Sequence, residues 1–455
     1  MDVESFMGNM EGALKPVKVL TKQKRIAELA NRYKGKPLTS LNHYLDEEWI
    51  RYAFELTRKD GAVGIDGQTA AEYESNLQVN LKSLLDRIKS GQYKAQPARR
   101  VYIPKADGSK RPLGIPTFED KVAQRAVVLL LEPIYEQDFK DCSFGFRPGK
   151  LAHQALEQLQ TNIRQGNCKW VIDVDLRRFF DTIDKGKLRT LIAKRVGDGV
   201  VRKMINKWLK AGILEDGQLT RSSFGTPQGG VCSPLLANVY LHYALDEWFY
   251  DEVLPRLKKR ASLIRFCDDF VIAFESYEDC KRVQRVLGLR MARYGLTLHE
   301  EKTRLVDFRF KRLRAIAKDH ATTFNFLGFT HVWGKSVQGK DVIRQYTAKD
   351  RYARAVKAIN EWCRINRHMP VEKQHEKLSE KMRGHYAYYG ITGNSRRLQW
   401  YFNQVRRTWK KWLSRRTRGW TLPWEDFAKL LERYPLPKPR IVHQYQCAKP
   451  SETAS

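Results

Sequence analysis

The sequence is short of cysteine, and the few cysteines present are not arranged to bind a metal. Its 455 residues include 7 cysteines, none of them in a CxxC pair. Zinc ribbons, zinc fingers and cysteine-ligated nuclease modules place their ligands at such short spacings. We therefore expect no zinc site. The odd count without close pairs also indicates a reducing compartment rather than a disulfide framework.

Long apolar runs and amino-terminal targeting signals are also missing. The opening residues, MDVESFMGNMEGAL, carry acids where a secretory signal needs bases, and no apolar stretch follows. The longest apolar run, near VVLLLEPIY, is interrupted by Glu132 and Pro133 and is too short to span a membrane. We therefore expect a soluble intracellular protein with no membrane partner.

Acidic residues are heavily outnumbered, and the excess of positive charge indicates a polyanionic partner. Lys and Arg number 83 against 51 Asp and Glu, so the net charge is +32. Nucleic acid is the first candidate for such a chain, and the alternative is a cationic surface that only confers solubility. With 42% hydrophobic residues the chain can form real cores, and its length favours two or three domains.

The residue pattern predicts an α+β region followed by an all-helical one. The segments RRVYIPK and KRPLGIP flank an Asp-Gly turn and predict a β-hairpin, while KWVIDVDL predicts a strand. The segment FEDKVAQRAVVLLLEPIYEQDF predicts a helix that ends near Pro133. From about Tyr346 the periodicity becomes helical, and residues 346–455 carry 24 Lys and Arg against 9 Asp and Glu.

Three aspartates stand out against this basic background. Asp175 ends an apolar strand, and Asp268 and Asp269 form the tip of RFCDDFVI, between apolar β-formers. Adjacent carboxylates repel each other beside apolar strands unless a cation neutralises them. Mg²⁺ suits such hard oxygen ligands, and two ions can support in-line displacement at phosphorus. The alternative is a solvated Asp-Asp turn, which an isolated pair would favour.

A glycine-rich loop between the aspartates favours the metal interpretation. The segment FGTPQGGVCSPLLANVYL predicts a loop that runs into a helix. Glycines let a backbone approach a bound nucleotide closely, and Gln228 offers an amide to a sugar or a base.

These motifs together resemble the reverse transcriptases encoded by bacterial group II introns, which are also called intron maturases. The resemblance extends from about Leu45 to Tyr445, in family order. The matching stretches are GAVGIDGQT, RRVYIPKADGSKRPLGIPTFEDKVAQRA, CSFGFRPG, VDLRRFFDTID, GTPQGGVCSPLLANVYLH, RFCDDF, GLTLHEEKTRL, FNFLGF and RGHYAYYGITGN.

The resemblance implies an α+β right-hand polymerase followed by an all-α thumb, which is called domain X in maturases. On this basis residues 1–90 form an N-terminal extension and the start of the fingers, and residues 91–345 form the fingers and a palm with an antiparallel sheet. Residues 346–445 form the thumb and residues 446–455 a tail. A bacterial cytoplasmic location, next to the nucleoid when the protein acts on DNA, is also expected.

The resemblance also implies roles for individual residues. Asp175, Asp268 and Asp269 fall on the catalytic, metal-binding aspartates. The remaining assignments are a metal-binding backbone carbonyl at Leu176, a nucleotide pocket at Lys105, Arg111, Phe180, Gln228 and Lys302, a primer grip at Phe326, Leu327 and Gly328, and RNA phosphate contacts at Arg383, Arg406 and Arg407. Phe180 would select deoxynucleotides by a steric clash with a 2′-hydroxyl.

Some nearby residues are predicted to be structural. Asp173 shares a strand face with Asp175 but does not match the metal position, and Asp181 is expected to cap or stabilise the following turn. Lys302 has the alternative of a solvated charge, and Cys267 that of a small core residue. Family members usually carry Tyr-Ala where this chain has Phe266 and Cys267. Because no suitable cysteines follow the thumb, we expect no zinc-containing endonuclease and no second-strand cleavage.

The predicted function is RNA-directed DNA polymerisation with two Mg²⁺ ions, combined with maturase activity. The expected partners are intron RNA, an RNA template, a DNA primer or target site, and deoxynucleoside triphosphates. One alternative is a related reverse transcriptase recruited for phage defence or DNA repair. Another is a splicing cofactor that binds RNA without catalysis, which the three intact aspartates disfavour. An RNA-copying RNA polymerase is disfavoured by Phe180.

Overall fold

The computed structural model describes most of the chain, as two compact units. The described residues are 17–104, 110–215, 217–220, 224–225, 229–309, 322–336, 338–416 and 421–444. The first unit comprises residues 1–152, 174–272 and 276–303, and the second comprises residues 153–173, 273–275 and 304–455. Lys105, Gln228 and the predicted turn at residues 107–108 lie outside the described residues.

Both units contain helices and strands, so the α+β prediction is confirmed. The helices are α1 (Val17–Arg32), α2 (Glu47–Glu55), α3 (Ala70–Ser75), α4 (Leu77–Lys89), α5 (Phe118–Tyr135), α6 (Ala152–Arg164), α7 (Phe179–Thr182), α8 (Lys185–Ala193), α9 (Gly199–Lys210), α10 (Ser233–Leu241), α11 (Tyr277–Arg293), α12 (Lys349–Ile365), α13 (Val371–Tyr389), α14 (Ser395–Leu413) and α15 (Trp424–Arg433). The strands are β1 (Ala98–Pro104), β2 (Lys110–Ile115), β3 (Trp170–Asp175), β4 (Ile213–Glu215), β5 (Gln218–Thr220), β6 (Ala261–Phe266), β7 (Asp269–Phe274), β8 (Arg304–Asp307), β9 (Phe324–Phe326), β10 (Phe329–Lys335) and β11 (Asp341–Thr347).

The strands form three sheets. One has the order β2-β1-β4-β5, and its antiparallel β1–β2 pair, in which Ile103 lies opposite Arg111, confirms the two strands of the predicted hairpin. A second has the order β6-β7-β3-β8 and contains the predicted strands around the acidic turn. The third, β11-β10-β9, is antiparallel and pairs Phe329 with both Phe326 and Thr347.

The helix boundaries follow local chemistry. Helix α5 ends near Pro133, as predicted, and continues two residues past it to Tyr135. A proline has no N–H with which to reach the carbonyl four residues earlier, which here is that of Leu129. The side-chain amide of Gln23 in α1 donates to this carbonyl over 3.1 Å. The orphaned acceptor is therefore satisfied, and the helix tolerates the proline.

In the second unit, the carboxy-terminal helices enclose an apolar core. The predicted helical segments are found in α12, α13 and α14, and α15 adds a further helix that the periodicity had not indicated. The core contains the fully buried Leu378, Leu398, Val405, Trp409 and Phe427. Trp409 also donates its indole N–H to Gln374 over 2.9 Å, so part of the aromatic content of this region serves packing.

Among the residues that the structure describes, no helix is both long enough and apolar enough to cross a membrane.

Candidate active site

The paired aspartates lie on a tight turn between β6 and β7, as predicted. Cys267 begins the turn with a left-handed backbone, φ 58°, and Asp269 opens β7. Non-glycine residues seldom adopt this conformation, and where they do the surrounding structure must hold them there. Cys267 is buried and Asp268 is half-buried, while Asp269 is exposed. The turn therefore presents its two carboxylates differently, one towards the interior and one towards solvent.

Gly145 packs against the backbone of this turn. A Cβ atom at position 145 would lie 2.6 Å from the Cys267 nitrogen and 2.9 Å from the Phe266 carbonyl carbon. The neighbouring backbone pairs with β6, because the Phe144 N–H donates to the Arg265 carbonyl over 2.9 Å. Residues of the CSFGFRPG stretch thus brace the turn that carries Asp268, and only glycine fits at position 145.

A buried arginine supports the same turn from within. Arg265 donates through one edge of its guanidinium, from Nε and Nη2, to the two carboxylate oxygens of Asp246, over 2.8 and 2.6 Å. It also donates to the carbonyl of Cys267 over 3.0 Å and to the side-chain oxygen of Asn238 over 2.8 Å. The Asn238 amide in turn donates to the Gly145 carbonyl over 2.7 Å. A fully buried ion pair that uses most of its donors and acceptors in this way is rigid and specific in geometry.

These supporting residues were not among the predicted site residues. A weak signal was available, since Arg265 interrupts an apolar strand and Asn238 interrupts the apolar helix α10. Their partners, however, lie far away in the sequence, and only the fold brings them together.

Asp175 ends β3 and is held through its backbone. The His299 N–H donates to the Asp175 carbonyl over 2.8 Å, and the next residue, Leu176, is buried and forms an isolated bridge with Leu298. The Lys302 ammonium lies 3.2 Å from an Asp175 carboxylate oxygen, with both side chains about half exposed. The structure thus pairs Lys302 with Asp175, while its contact with a nucleotide stays a prediction.

Asp175 and Arg111 act electrostatically on Asp268. Burial raises the pKa of the Asp268 carboxyl, and hydrogen bonds from its own backbone and from Cys267 lower it. The negative charge of Asp175 raises the same pKa further, while the Arg111 cation lowers it. A carboxyl that is both desolvated and next to another carboxylate favours a neighbouring cation. The structure therefore brings together Asp175, Asp268 and Arg111 in the first unit.

This pair of carboxylates fits a divalent metal of the Mg²⁺ type. Within the described ranges, no group of three His, Cys, Asp or Glu side chains is arranged to hold a metal ion. Mg²⁺ commonly binds through only one or two carboxylates, with substrate phosphates and water completing its shell. The chemistry of Asp175 and Asp268 satisfies that requirement. The metal-binding roles of these residues, of Asp269 and of the Leu176 carbonyl stay predictions.

Phe180 lies beside the start of the glycine-rich loop. Gly225 has φ 84°, and a Cβ atom there would lie 3.2 Å from the Phe180 carbonyl oxygen. The Gly225 N–H donates to the Ile183 carbonyl over 2.8 Å. At the other end of the loop, a Cβ at Gly229 would lie 2.8 Å from the Gly114 carbonyl oxygen of β2. The flanks of the loop therefore lie against Phe180 and against the strand that carries Arg111.

The predicted primer-grip residues form a two-residue hairpin turn in the second unit. Leu327 and Gly328 connect β9 to β10 with φ 49° and 77°, the positive pair typical of a type I′ turn. Phe326 is buried. Tyr388 donates its hydroxyl to the Leu327 carbonyl over 2.9 Å, so helix α13 holds this turn.

The predicted phosphate-binding arginines lie on helices of the second unit. Arg383 and Arg407 are exposed, whereas Arg406 is half-buried with its guanidinium 5.7 Å from the Phe402 ring centroid. Their role in RNA binding stays a prediction.

Of the two acids predicted to be structural, Asp173 and Asp181, the second requires a correction. Asp173 faces Arg304 across β3 and β8 and forms a 3.4 Å ion pair with it. Asp181 does not cap the following helix. Its carboxylate pairs with Arg178 at 3.4 Å, and Asp184 caps α8 by accepting from Gly186 and Lys187. Asp184 lies immediately before the helix, where a cap must be.

Comparisons with known proteins identify relatives of this chain. Residues 103–331 match the family described as reverse transcriptase (RNA-dependent DNA polymerase). The chain is 30% identical to the group II intron-encoded protein LtrA of Lactococcus lactis subsp. cremoris, over 83% of this chain and 74% of that protein. It is 35% identical to the protein YkfC of Escherichia coli strain K12, over 50% of this chain and 67% of YkfC. It is also 29% identical to the nuclear intron maturase 2, mitochondrial, of Arabidopsis thaliana, over 30% of this chain and 24% of that protein.

Proposed function

We propose that this chain, which belongs to the group II intron-encoded reverse transcriptases, extends a DNA primer on an RNA template and helps its intron RNA to fold for splicing. As a reverse transcriptase it is an RNA-directed DNA polymerase, and RNA, DNA and nucleotides are its partners. Reverse transcriptases use divalent metal ions. The proposal adds the finer points: the ion, the residues and the RNA.

The ion that we propose is Mg²⁺, with two bound at a time. Asp175, Asp268 and Asp269 would hold them, together with the backbone carbonyl of Leu176. When bound, two such ions activate the primer 3′-hydroxyl and stabilise the leaving pyrophosphate. The half-buried position of Asp268 and the negative charge of Asp175 support this proposal, because both make a cation favourable there.

The remaining residues of the pocket orient the incoming deoxynucleoside triphosphate. Arg111 and Lys105 supply positive charge for its phosphates, and Lys302 adds a third cation beside Asp175. Phe180 closes the sugar side of the pocket and excludes a 2′-hydroxyl, and Gln228 contacts the nucleotide. Gly225 and Gly229 let the loop backbone lie close to Phe180 and to β2, which supports this arrangement.

The second unit provides the grip on nucleic acid. Phe326, Leu327 and Gly328 hold the primer, and Arg383, Arg406 and Arg407 contact the phosphates of the duplex or of the intron RNA. The protein acts in the bacterial cytoplasm, close to the nucleoid when the primer is a DNA target site.

The observation that carries the proposal is the pairing of β3, which ends at Asp175, with β7, which begins at Asp269 directly after Asp268. Primer extension with Mg²⁺ and deoxynucleotides on an RNA template tests it. We expect the wild type to extend the primer and Asp268→Asn to lose at least about 1,000-fold in rate, which corresponds to about 4 kcal/mol of transition-state stabilisation.

Asp173→Asn is the matched control for this experiment. It makes the same chemical change two residues before Asp175, at a carboxylate that forms a partly exposed ion pair with Arg304. We expect this variant to extend the primer like the wild type. No extension by the wild type would refute the polymerase activity, and full activity of Asp268→Asn would refute the metal assignment.

A further inference from the structure

The second unit contains a large cavity that the polymerase chemistry does not use. Its volume is about 710 Å³, and α6, the β10–β11 hairpin and the start of α14 line it. This size lies within the range of about 300–1,000 Å³ that is typical of ligand sites. We call it the arginine groove, after its lining residues Arg164, Arg344, Arg396 and Arg397.

The charge of the arginine groove is strongly positive. Its lining includes these four arginines and one acid, Glu157. Arg344 is oriented by its bonds to neutral groups, the Tyr346 hydroxyl at 3.1 Å and the Lys335 carbonyl. Within the described part of the chain, Arg396 and Arg397 contact aromatic rings and form no ion pair with a carboxylate. Pockets for small organic ligands are mostly apolar, so this lining favours a polyanion.

An exposed tryptophan completes the groove. Trp400 is 42% exposed, although a tryptophan usually buries most of its ring. The guanidinium carbons of Arg396 and Arg397 lie 5.0 and 4.9 Å from its ring centroid. An aromatic ring with arginines against it can stack a nucleobase while the guanidinium groups contact phosphates.

We propose that the arginine groove binds an unpaired stretch of RNA, with a base on Trp400 and phosphates on the arginines. The inference rests on the proposed function, since it adds a partner site to an RNA-handling enzyme. Unpaired nucleotides present the base faces that an aromatic ring can stack on, whereas a duplex hides them. The amides of Gln160 and Gln165 and the hydroxyl of Thr161 line the same groove and can bond to a ribose 2′-hydroxyl. These groups favour RNA over DNA.

A cysteine introduced into the groove gives a site-specific test. Thr392 is exposed and lines the groove, and the native cysteines within the described ranges are buried. In full-length Thr392→Cys, alkylation of Cys at this position by N-ethylmaleimide would be followed by peptide mass spectrometry. With an unstructured RNA of about 12 nucleotides at saturation, we expect alkylation to slow by at least about fivefold.

The groove variants and a charge-matched control decide what causes the protection. In the Thr392→Cys background, Arg396→Gln with Arg397→Gln is expected to abolish the protection, and so is Trp400→Ala. Arg285→Gln with Arg433→Gln removes the same charge from exposed helix positions outside the groove and should leave the protection intact. Equal loss in the control, or persistence in both groove variants, would overturn the proposal.

Two further experiments distinguish RNA from other anions and separate the groove from the polymerase site. A DNA oligomer of the same sequence, or inorganic phosphate, that protects as well as the RNA would overturn the RNA assignment. Asp268→Asn, which should stop primer extension, is expected to show full RNA protection in the Thr392→Cys background. Loss of extension with retained protection therefore distinguishes failure of the polymerase site from failure of the groove. If RNA leaves the alkylation rate of Thr392→Cys unchanged when the groove carries no other substitution, the proposal is refuted.

Discussion

At the scale of single residues, left-handed backbone conformations and close packing occur at the turns that carry predicted site residues. Left-handed non-glycine residues are rare, yet Cys267 and Leu327 adopt this conformation at the turn that carries the paired aspartates and at the predicted primer grip. Arg178 does so just after Asp175. Such conformations persist only where neighbours hold them. Gly145 and the buried Arg265 are those neighbours for Cys267.

Gly145→Ala is expected to impair catalysis by displacing this turn. The new methyl would lie 2.6 Å from the Cys267 nitrogen, so the backbone that carries Asp268 must move. We expect the rate constant of single-nucleotide extension to fall at least about tenfold, which is about 1.4 kcal/mol, with little change in the KM for the deoxynucleotide.

Gly199→Ala is the matched control for this prediction. A Cβ at position 199 meets nothing within 4 Å, so this variant should retain the wild-type rate. Circular dichroism of both variants would establish that they are folded. A wild-type rate for folded Gly145→Ala would contradict the bracing role of this glycine.

At the scale of elements, helix α5 joins several parts of the first unit through buried polar contacts. Asp120, in its first turn, accepts from the Tyr93 hydroxyl and from the Gln96 N–H, the latter over 3.0 Å. Trp208 of α9 donates its indole N–H to the Tyr93 oxygen over 2.8 Å. These contacts fix the segment that leads into β1, and hence the strand pair that carries Arg111.

The stability of this contact network should depend on pH through Asp120. Burial raises the pKa of its carboxyl to about 6, above the value of 3.8 expected in the unfolded chain. Protonation of Asp120 therefore favours the folded state. Its stabilising contribution to the free energy of unfolding is fully present below pH 3.8 and is lost as the pH rises through about 6. Asp120→Asn removes the titration, so its unfolding free energy relative to the wild type should increase by about 1 kcal/mol from pH 5 to pH 8.

Urea unfolding at the two pH values would measure this difference. A difference for Asp120→Asn that stays constant with pH would show that Asp120 titrates in the folded protein as it does in the unfolded chain.

At the scale of the whole molecule, the excess of positive charge is divided between the two parts of the chain that the sequence distinguishes. The net charge is +32, and residues 346–455 alone contribute 24 Lys and Arg against 9 Asp and Glu. The described part of this segment folds into basic helices around an apolar core. Most of its arginines therefore face outward, where they can contact phosphates. The carboxylates of the candidate active site contrast with this excess of positive charge.

Binding of the intron RNA should consequently fall steeply with salt. If about six or more phosphates are contacted, the dissociation constant should rise by at least about 100-fold between about 0.1 and 0.4 M KCl. Fluorescence anisotropy with end-labelled intron RNA would measure the slope. Arg406→Gln with Arg407→Gln should reduce the slope by up to about two phosphate equivalents. A flat response would contradict an interface dominated by phosphates.

The sequence by itself determined the features that depend on local chemistry. Stretches of apolar β-forming residues predicted β3, β6 and β7, and the acids at their ends located Asp175, Asp268 and Asp269. The family motifs then gave the enzyme class, which the comparisons confirmed. These features are readable because neighbouring residues carry the whole signal.

Only the tertiary structure decided the features that need residues from distant segments. Gln23 satisfies the Leu129 carbonyl and lets α5 continue past Pro133, and Gly145 and Asp246 brace the turn between β6 and β7. The arginine groove likewise combines α6, a hairpin and α14. In each case a hydrogen bond, a close contact or a cavity arises from long-range packing, and a single stretch of sequence carries no trace of its partner.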